Sequence, residues 1–440
     1  MKVAVWKNLD PAARTAMLRR PVLVEDAELQ VRVAEILARV RRDGDRALRE
    51  LTREIDGVEL SALEVGDVEF AAADGALTRE QRDAMGAAAG NIRAFHEAQL
   101  PGAVVVETAP GVVCERVSRP IGSVGLYVPA GSAPLPSTAL MLAIPAGIAG
   151  CPTRILCTPP QADGRADPSV LVAARSCGVP RVFKLGGAQA IAAMAFGTET
   201  VPKVEKLFGP GNAWVTAAKA QAAQDPLGAA RDMPAGPSEV LVVADASANP
   251  EFVAADLLSQ AEHGPDSQVV LVTTSEAICT ATLEELEAQQ STLSRRDITA
   301  ISLSRSLAII VDDLDEAIDV SNAYAPEHLI LQVEDPRARL DSIEAAGSVF
   351  LGPWAPESVG DYCSGTNHVL PTYGFARSYS SLGVSDFLRS MTVQELSASG
   401  LEAIGPVAAT LADLEGLDAH AAAVTRRLET ISRGAARTKP

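Results

Sequence analysis

The chain has 440 residues, 47% hydrophobic and only 4% aromatic, with a formal net charge of -18. That length supports a large buried core and about two to four domains, and a core dominated by Ala, Val, Leu and Ile suits helices on parallel sheet. So acidic a chain repels nucleic acid and anionic membrane, which removes both as expected partners.

Residues 1–6 are apolar apart from Lys2, but Lys7, Asn8 and Asp10 follow too soon for a secretion signal. The first hundred residues read as helical. Leu29, Val33, Ile36, Leu37 and Val40 recur at helical spacing, Gly44 interrupts, and Leu48, Leu51 and Ile55 resume the stripe. Thr78 and Gln81 form a capping-box pattern opening a second long helix.

From about residue 105 short apolar runs alternate with helical stretches. Strands are expected over 112–117, 123–128, 154–158, 181–185 and 206–208, with helices over 137–149, 168–177, 188–195 and 213–224. The stretch 132–151 is apolar but contains Pro134, Pro136 and Pro145, so it reads as buried loop and helix rather than a membrane span. Asp167-Pro168 is a capping side chain followed by a first-turn proline.

A second series has strands over 240–243, 268–273, 307–311, 329–333 and 348–351, and helices over 251–262, 276–289, 314–323 and 337–345. Strand–helix alternation with short loops implies parallel sheets and two similar α/β domains. Residues 352–383 are rich in Gly, Pro, Ser and Tyr, and a loop that long points to function. An Ala-rich helical tail over 400–434 could pack on another subunit.

The six cysteines include no CxxC pair, so reduced thiols in a cytoplasm are expected. Cys363 reads as a small filler thiol rather than a nucleophile, because no activating base beside it is evident.

Four of the five histidines sit in segments dense with Gly, Pro or acidic residues. Gln260 and His263, three apart at a helix end closed by Gly264-Pro265, place an amide oxygen and an imidazole on one face. Two ligands to one metal would need that arrangement; a histidine resting against the helix dipole would also produce it. Glu327-His328, following Pro326, suits a general acid/base pair once a bend brings the two together, and a solvated turn is the alternative. Asp361 and His368 add an oxygen and an imidazole from the Gly-rich loop, and Glu415 and His420 add two groups from the tail. No GxGxxG opens a helix, but Gly186-Gly187 and Gly209-Pro210-Gly211-Asn212 each follow a strand and precede a helix, where backbone N–H groups can face a phosphate.

The stretches 122–130 (GSVGLYVPA), 184–189 (KLGGAQ), 199–206 (ETVPKVEK), 209–212 (GPGN), 232–239 (DMPAGPSE), 256–266 (DLLSQAEHGPD), 325–329 (APEHL) and 364–374 (SGTNHVLPTYG), in this order, resemble histidinol dehydrogenases across nearly the whole chain. The resemblance implies two incomplete Rossmann-like parallel-sheet domains with an N-terminal helical segment and a helical C-terminal tail, an aldehyde-dehydrogenase-like α/β architecture. It divides the chain into 1–104, packing on the second α/β domain; 105–237, the NAD side; 238–383, the zinc and substrate side; and 384–440, reaching a partner subunit. It implies one zinc per site on Gln260, His263, Asp361 and His420, and an acid/base pair in Glu327 and His328. It further implies substrate contacts from Ser238, His368 and Glu415, with Gln260, His263, His328, Asp361 and His420 also bordering the substrate, and NAD contacts from Tyr127, Gln189 and Asn212. The implied substrate is L-histidinol, oxidised through histidinal to L-histidine at the end of histidine biosynthesis, in a homodimer whose tails complete the partner's sites. The stretch 377–379 departs from the family pattern and carries no implied role. Two alternatives stay open: a paralogue acting on another alcohol, such as a sulfonated diol, and a non-catalytic zinc or nucleotide-binding scaffold.

Overall fold

The computed structural model describes residues 1–20, 27–130 and 133–437. Ser132, at the head of the apolar stretch, lies outside them. The described residues divide into two compact units, one of Met1–Gln99 with Ile121–Phe387, the other of Leu100–Pro120 with Leu388–Pro440.

The first unit holds two parallel sheets. One runs in the spatial order Arg181–Lys184, Thr153–Thr158, Ser123–Tyr127, Lys206–Phe208, Ala230–Arg231. The other runs Lys2–Val5, Leu307–Ile310, Gln268–Thr273, Glu239–Ala244, His328–Gln332, Ser348–Leu351. Leaving out Lys2–Val5, each sheet has the order 3-2-1-4-5 of a doubly wound fold, with the reversal of strand order beside its first strand. The strands EVLVVA and QVVLVT are buried along their whole length. Helices on both faces make such continuous apolar runs stable where alternating ones would not be.

The predicted elements lie within a residue or two of those observed for most of both series, and the Asp167 and Thr78 caps form as their sequences require. Several differences have local causes. Lys2–Val5 is a strand rather than helix, because it pairs in register with Leu307–Ile310. The stretch 337–345 makes only a 3-10 helix, Arg337–Ser342. A helix over Arg296–Ser304 follows one over Glu276–Gln290 and was not anticipated.

The N-terminal segment divides between the two sheets, which corrects the expectation that its helices pack on the second. Trp6, Leu9 and Met17 join one face of the six-stranded sheet. The long helix Ala27–Leu51, with Gly44 in a non-helical conformation inside it, buries Val33, Leu37, Val40, Leu48 and Leu51 with Ile191, Ala195 and Ala218 of the five-stranded sheet's helices. Each such aliphatic side chain contributes about 1.5–3 kcal/mol by leaving water.

The second unit is an antiparallel sheet, Leu388–Leu396 beside Val112–Pro120 beside Val104–Ala109, with helices Ala398–Leu414 and Asp418–Arg437. The tail is therefore not one helix. Glu415 closes the first, Gly416 takes a left-handed conformation just beyond it, and His420 lies in the first turn of the second.

Candidate functional site

In the six-stranded sheet Ser238 precedes the strand Glu239–Ala244, and His328 opens its neighbour, paired in register with Val240. The intervening helix Pro250–Ala261 runs back against the strands, so its last turn, with Gln260, returns to the same amino-terminal edge. Glu327, Ser238, Gln260 and His263 therefore gather at the reversal of strand order, but at the edge opposite the carboxyl ends where doubly wound sheets usually bind ligands.

A bend at Glu327 turns its side chain toward His328, with Oε2 to Nδ1 at 3.7 Å. Both residues are buried, and the Glu239 backbone contacts each of them. Its N–H donates to Glu327 Oε2 at 2.8 Å, and its carbonyl lies 3.1 Å from His328 Nδ1. A carbonyl only accepts, so Nδ1 carries the hydrogen, and the lone pair of the neutral ring is on Nε2. Nε2 is buried 3.3 Å from Asp361 Oδ1, an ion-pair contact without the alignment of a hydrogen bond, and has no hydrogen-bond partner among the described residues.

Asp361 and Glu357 both lie on the short helix Glu357–Tyr362, inside the long Gly-rich stretch. Spaced i and i+4, they share a face. Ligand atoms of His263, Glu357 and Asp361 lie within 4.8 Å of one another. His263 Nδ1 is also 3.4 Å from Ser238 Oγ. The Gln260 amide nitrogen is 3.4 Å from Glu327 Oε2 as placed; exchanging amide N and O lets the nitrogen donate to Glu357 and the oxygen accept from Glu239 N–H at 2.9 Å. His368 stands nearby with Nε2 3.5 Å from Thr138 Oγ1.

Burial raises the Glu327 carboxyl to about 8, with His328 opposing, and raises Glu357 well above the usual range. Burial pushes the His328 imidazole down, but the field of Glu357, Glu327 and Asp361 outweighs it and lifts it to about 10. Burial lowers His263 and His368. Asp361 is held below the ordinary value: burial would raise it, but the adjoining His328 prevails. Three carboxyl groups and three imidazoles thus share one small region, with His263 at its exposed rim.

The five-stranded sheet presents Tyr127, Gln189 and the 209–212 turn at its carboxyl edge. The buried Tyr127 hydroxyl accepts from Gly187 N–H at 3.0 Å. Gln189 donates to Asp56 at 3.3 Å, and its Oε1 is buried without a partner. Asn212 is exposed and caps the helix Ala213–Gln224, its Oδ1 accepting from Trp214 and Val215 N–H groups at 3.1 and 3.2 Å. At Gly209, φ is +121° and an added Cβ would strike the Tyr127 carbonyl, so glycine is required there. Glu415 and His420 belong to the second unit and are exposed. Cys363 is exposed and its carbonyl accepts from Asn91 at 2.8 Å, and among the described residues no hydrogen bond to its thiol is seen.

Glu357 escaped the sequence reading. Its signal was its position one helical turn before Asp361, hidden because the surrounding Gly- and Pro-rich composition suggested loop rather than helix. Arg377, in the segment that departs from the family pattern, bonds to the Ala323 carbonyl near the end of the helix leading to Glu327.

A family model described as histidinol dehydrogenase matches residues 19–428. A histidinol dehydrogenase of Xanthomonas axonopodis pv. citri is 59% identical over 97% of this chain and 99% of its own, and one from Vibrio parahaemolyticus is 53% identical over 98% and 99%. The crystal structure of histidinol dehydrogenase from Elizabethkingia anophelis superimposes with a TM-score of 0.94 at 47% identity, covering 98% of this chain and 99% of that one. No helix among the described residues is long and apolar enough to cross a membrane. With matches of this extent, the chain belongs to the histidinol dehydrogenase family.

Proposed function

We propose that this chain is a zinc-dependent, NAD-linked dehydrogenase of the cytoplasm that oxidises L-histidinol to L-histidine through histidinal. The observation that carries this reading is the convergence of His263, Glu357 and Asp361 beside the Glu327–His328 pair.

The donor set fits a divalent cation. An imidazole and carboxylates lie at coordinating separations, and the orphaned His328 Nε2 is aimed among them. Gln260, His263 and Asp361 would hold the metal, completed by His420 of a second copy in a homodimer, with Glu357 supporting them. These nitrogen and oxygen donors suit zinc, although manganese or cobalt accept similar ones. Zinc, when bound, supplies a template that fixes the imidazole and amine nitrogens of the substrate. NAD, when bound, accepts hydride in each oxidation, so two NADH form per histidine.

The chain's own residues handle protons and orientation. His328 takes the alcohol proton at Nε2, since Nδ1–H is committed to the Glu239 carbonyl. The neighbouring carboxylates favour the protonated His328 ring, and positive charge held by Gln260, His263 and Asp361 would oppose that field and favour the basic form. As water attacks the aldehyde, Glu327 takes a proton from it and His328 gives its proton to the aldehyde oxygen, which forms the hydrate and leaves His328 free to act again as base on it. Ser238, His368 and Glu415 of the partner copy would orient the substrate. Tyr127, Gln189 and Asn212 would border NAD, and the unsatisfied Gln189 Oε1 is the group there that lacks a partner.

The test is NADH released per L-histidinol, with and without a chelator. A ratio near two that collapses on chelation is the expected outcome. A ratio near one, or no turnover, assigns the chain to a different alcohol.

A further inference from the structure

We propose that Arg20 and Glu239 form a buried positioning pair for Glu327 and His328, a role that rests on reading those two residues as the acid/base pair. Glu239 grips both through its backbone: its N–H is the donor to Glu327, and its carbonyl fixes the His328 tautomer. The two groups belong to successive peptide units joined at the Glu239 Cα, so a displacement of this one residue would disturb both contacts. What anchors the residue is its side chain, which is almost completely buried and faces Arg20 in a two-pronged ion pair, with Nη2 to Oε2 at 2.7 Å and Nε bonded to Oε1.

Arg20 also reaches the other side of the pair. Its Nη2 donates to the Ala325 carbonyl at 3.2 Å, two residues before Glu327, and its guanidinium lies 3.9 Å over the Tyr324 ring. Glu239 Oε1 accepts from Tyr373 N–H at 3.2 Å. Among the described residues, Ala325 and Tyr373 are the non-glycine residues with left-handed backbone, φ 54° and 56°. Both strained peptides are therefore bonded to this one ion pair. Strain of that kind persists only where the surroundings over-determine it. The planar fork of arginine meets the carboxylate, the carbonyl and the ring together, which lysine cannot do.

The test uses the full-length enzyme. Arg20→Lys and Arg20→Met should lower kcat about 10- to 100-fold, the effect of a small displacement of reacting groups, with KM for substrate and NAD changed less than about threefold. Arg20→Met leaves a buried carboxylate unpaired and could fail to fold. The double variant Arg20→Met with Glu239→Gln removes that charge and should fold while remaining slow. In a His328→Asn background, which lacks the group being positioned, the Arg20 substitutions should cost little further activity. Equal losses in both backgrounds would overturn the proposal, because a merely structural role lowers both alike.

A second readout does not depend on turnover. With histidine labelled by nitrogen-15 there are five imidazoles to resolve, and His328 is assigned by its loss in His328→Asn. Its hydrogen-bonded Nδ1–H signal should be present in the unsubstituted protein and shifted or lost in the folded double variant. An unchanged signal overturns the pairing. If the enzyme does not oxidise histidinol, the functional reading fails, and this spectrum still decides whether Arg20 and Glu239 hold the ring.

Discussion

Glu357 and Asp361 stand one helical turn apart and bring carboxylate oxygens within 4.8 Å of each other and of a His263 ring nitrogen. The cluster exists because a six-residue helix forms inside a stretch that otherwise reads as turn and loop. Glu357 also lies against the Gln260 amide, the side chain of a proposed ligand. Glu357→Gln should weaken zinc binding about 10- to 100-fold, the usual effect of losing a group that supports metal ligands. Competition with a chromophoric chelator measures this. Unaltered affinity would place Glu357 outside the metal-holding group.

Glu327 and His328 should separate when the two oxidations are followed independently. Glu327→Gln keeps the shape and the contact with Glu239 N–H but loses the proton acceptor. It should spare oxidation of histidinol and slow oxidation of histidinal about 100-fold or more. His328→Asn should slow both. Equal losses from Glu327→Gln in the two half-reactions would contradict its role with water.

Sharing of sites between copies is open to a mixing experiment. His420→Ala and His328→Asn homodimers should each be nearly inactive. Dissociated and reassociated together, they form hybrids in which one of the two sites is intact, so about a quarter of the activity should return. No recovery would mean that His420 serves its own chain or none.

Asp256, one helical turn before Gln260 and within the electrostatic reach of Glu357, provides a pH test of stability. Burial raises its carboxyl from 3.8 to about 6, with Gln332 opposing. The unfolded chain releases this proton at lower pH than the native one, so between those values the native state carries the extra proton. Stability then falls as pH rises from about 4 to about 6 and stays reduced above that. Asp256→Asn removes the ionisation, so its thermal midpoint should exceed that of the unsubstituted protein at pH 8 and match it near pH 4. The span corresponds to about 3 kcal/mol or less. Parallel melting curves at the two pH values would show that burial of Asp256 is not felt in stability.

Much of this architecture could be read from local pattern. The stripe Val33, Leu37, Val40 marked its helix, Thr78 and Gln81 marked another's start, and the apolar runs at 240–243 and 268–273 marked strands. These signals work because helical spacing, caps and two-sided burial depend on residues near one another in sequence. The resemblance supplied names for site residues, and spacing alone left Gln260–His263 and Glu327–His328 with two readings each.

Other features were decided only by tertiary structure. Lys2–Val5 is too short to declare itself, and it becomes a strand because Leu307–Ile310 offers it an edge. Val104–Ala109 and Leu388–Leu396 lie far apart in sequence and pair on either side of Val112–Pro120. Glu239 reads as one more acidic residue until the strand order sets it beside His328, and Arg20 until the fold closes on Glu239. Such meetings depend on how strands and helices cross over hundreds of residues, and no local spacing in the chain records them.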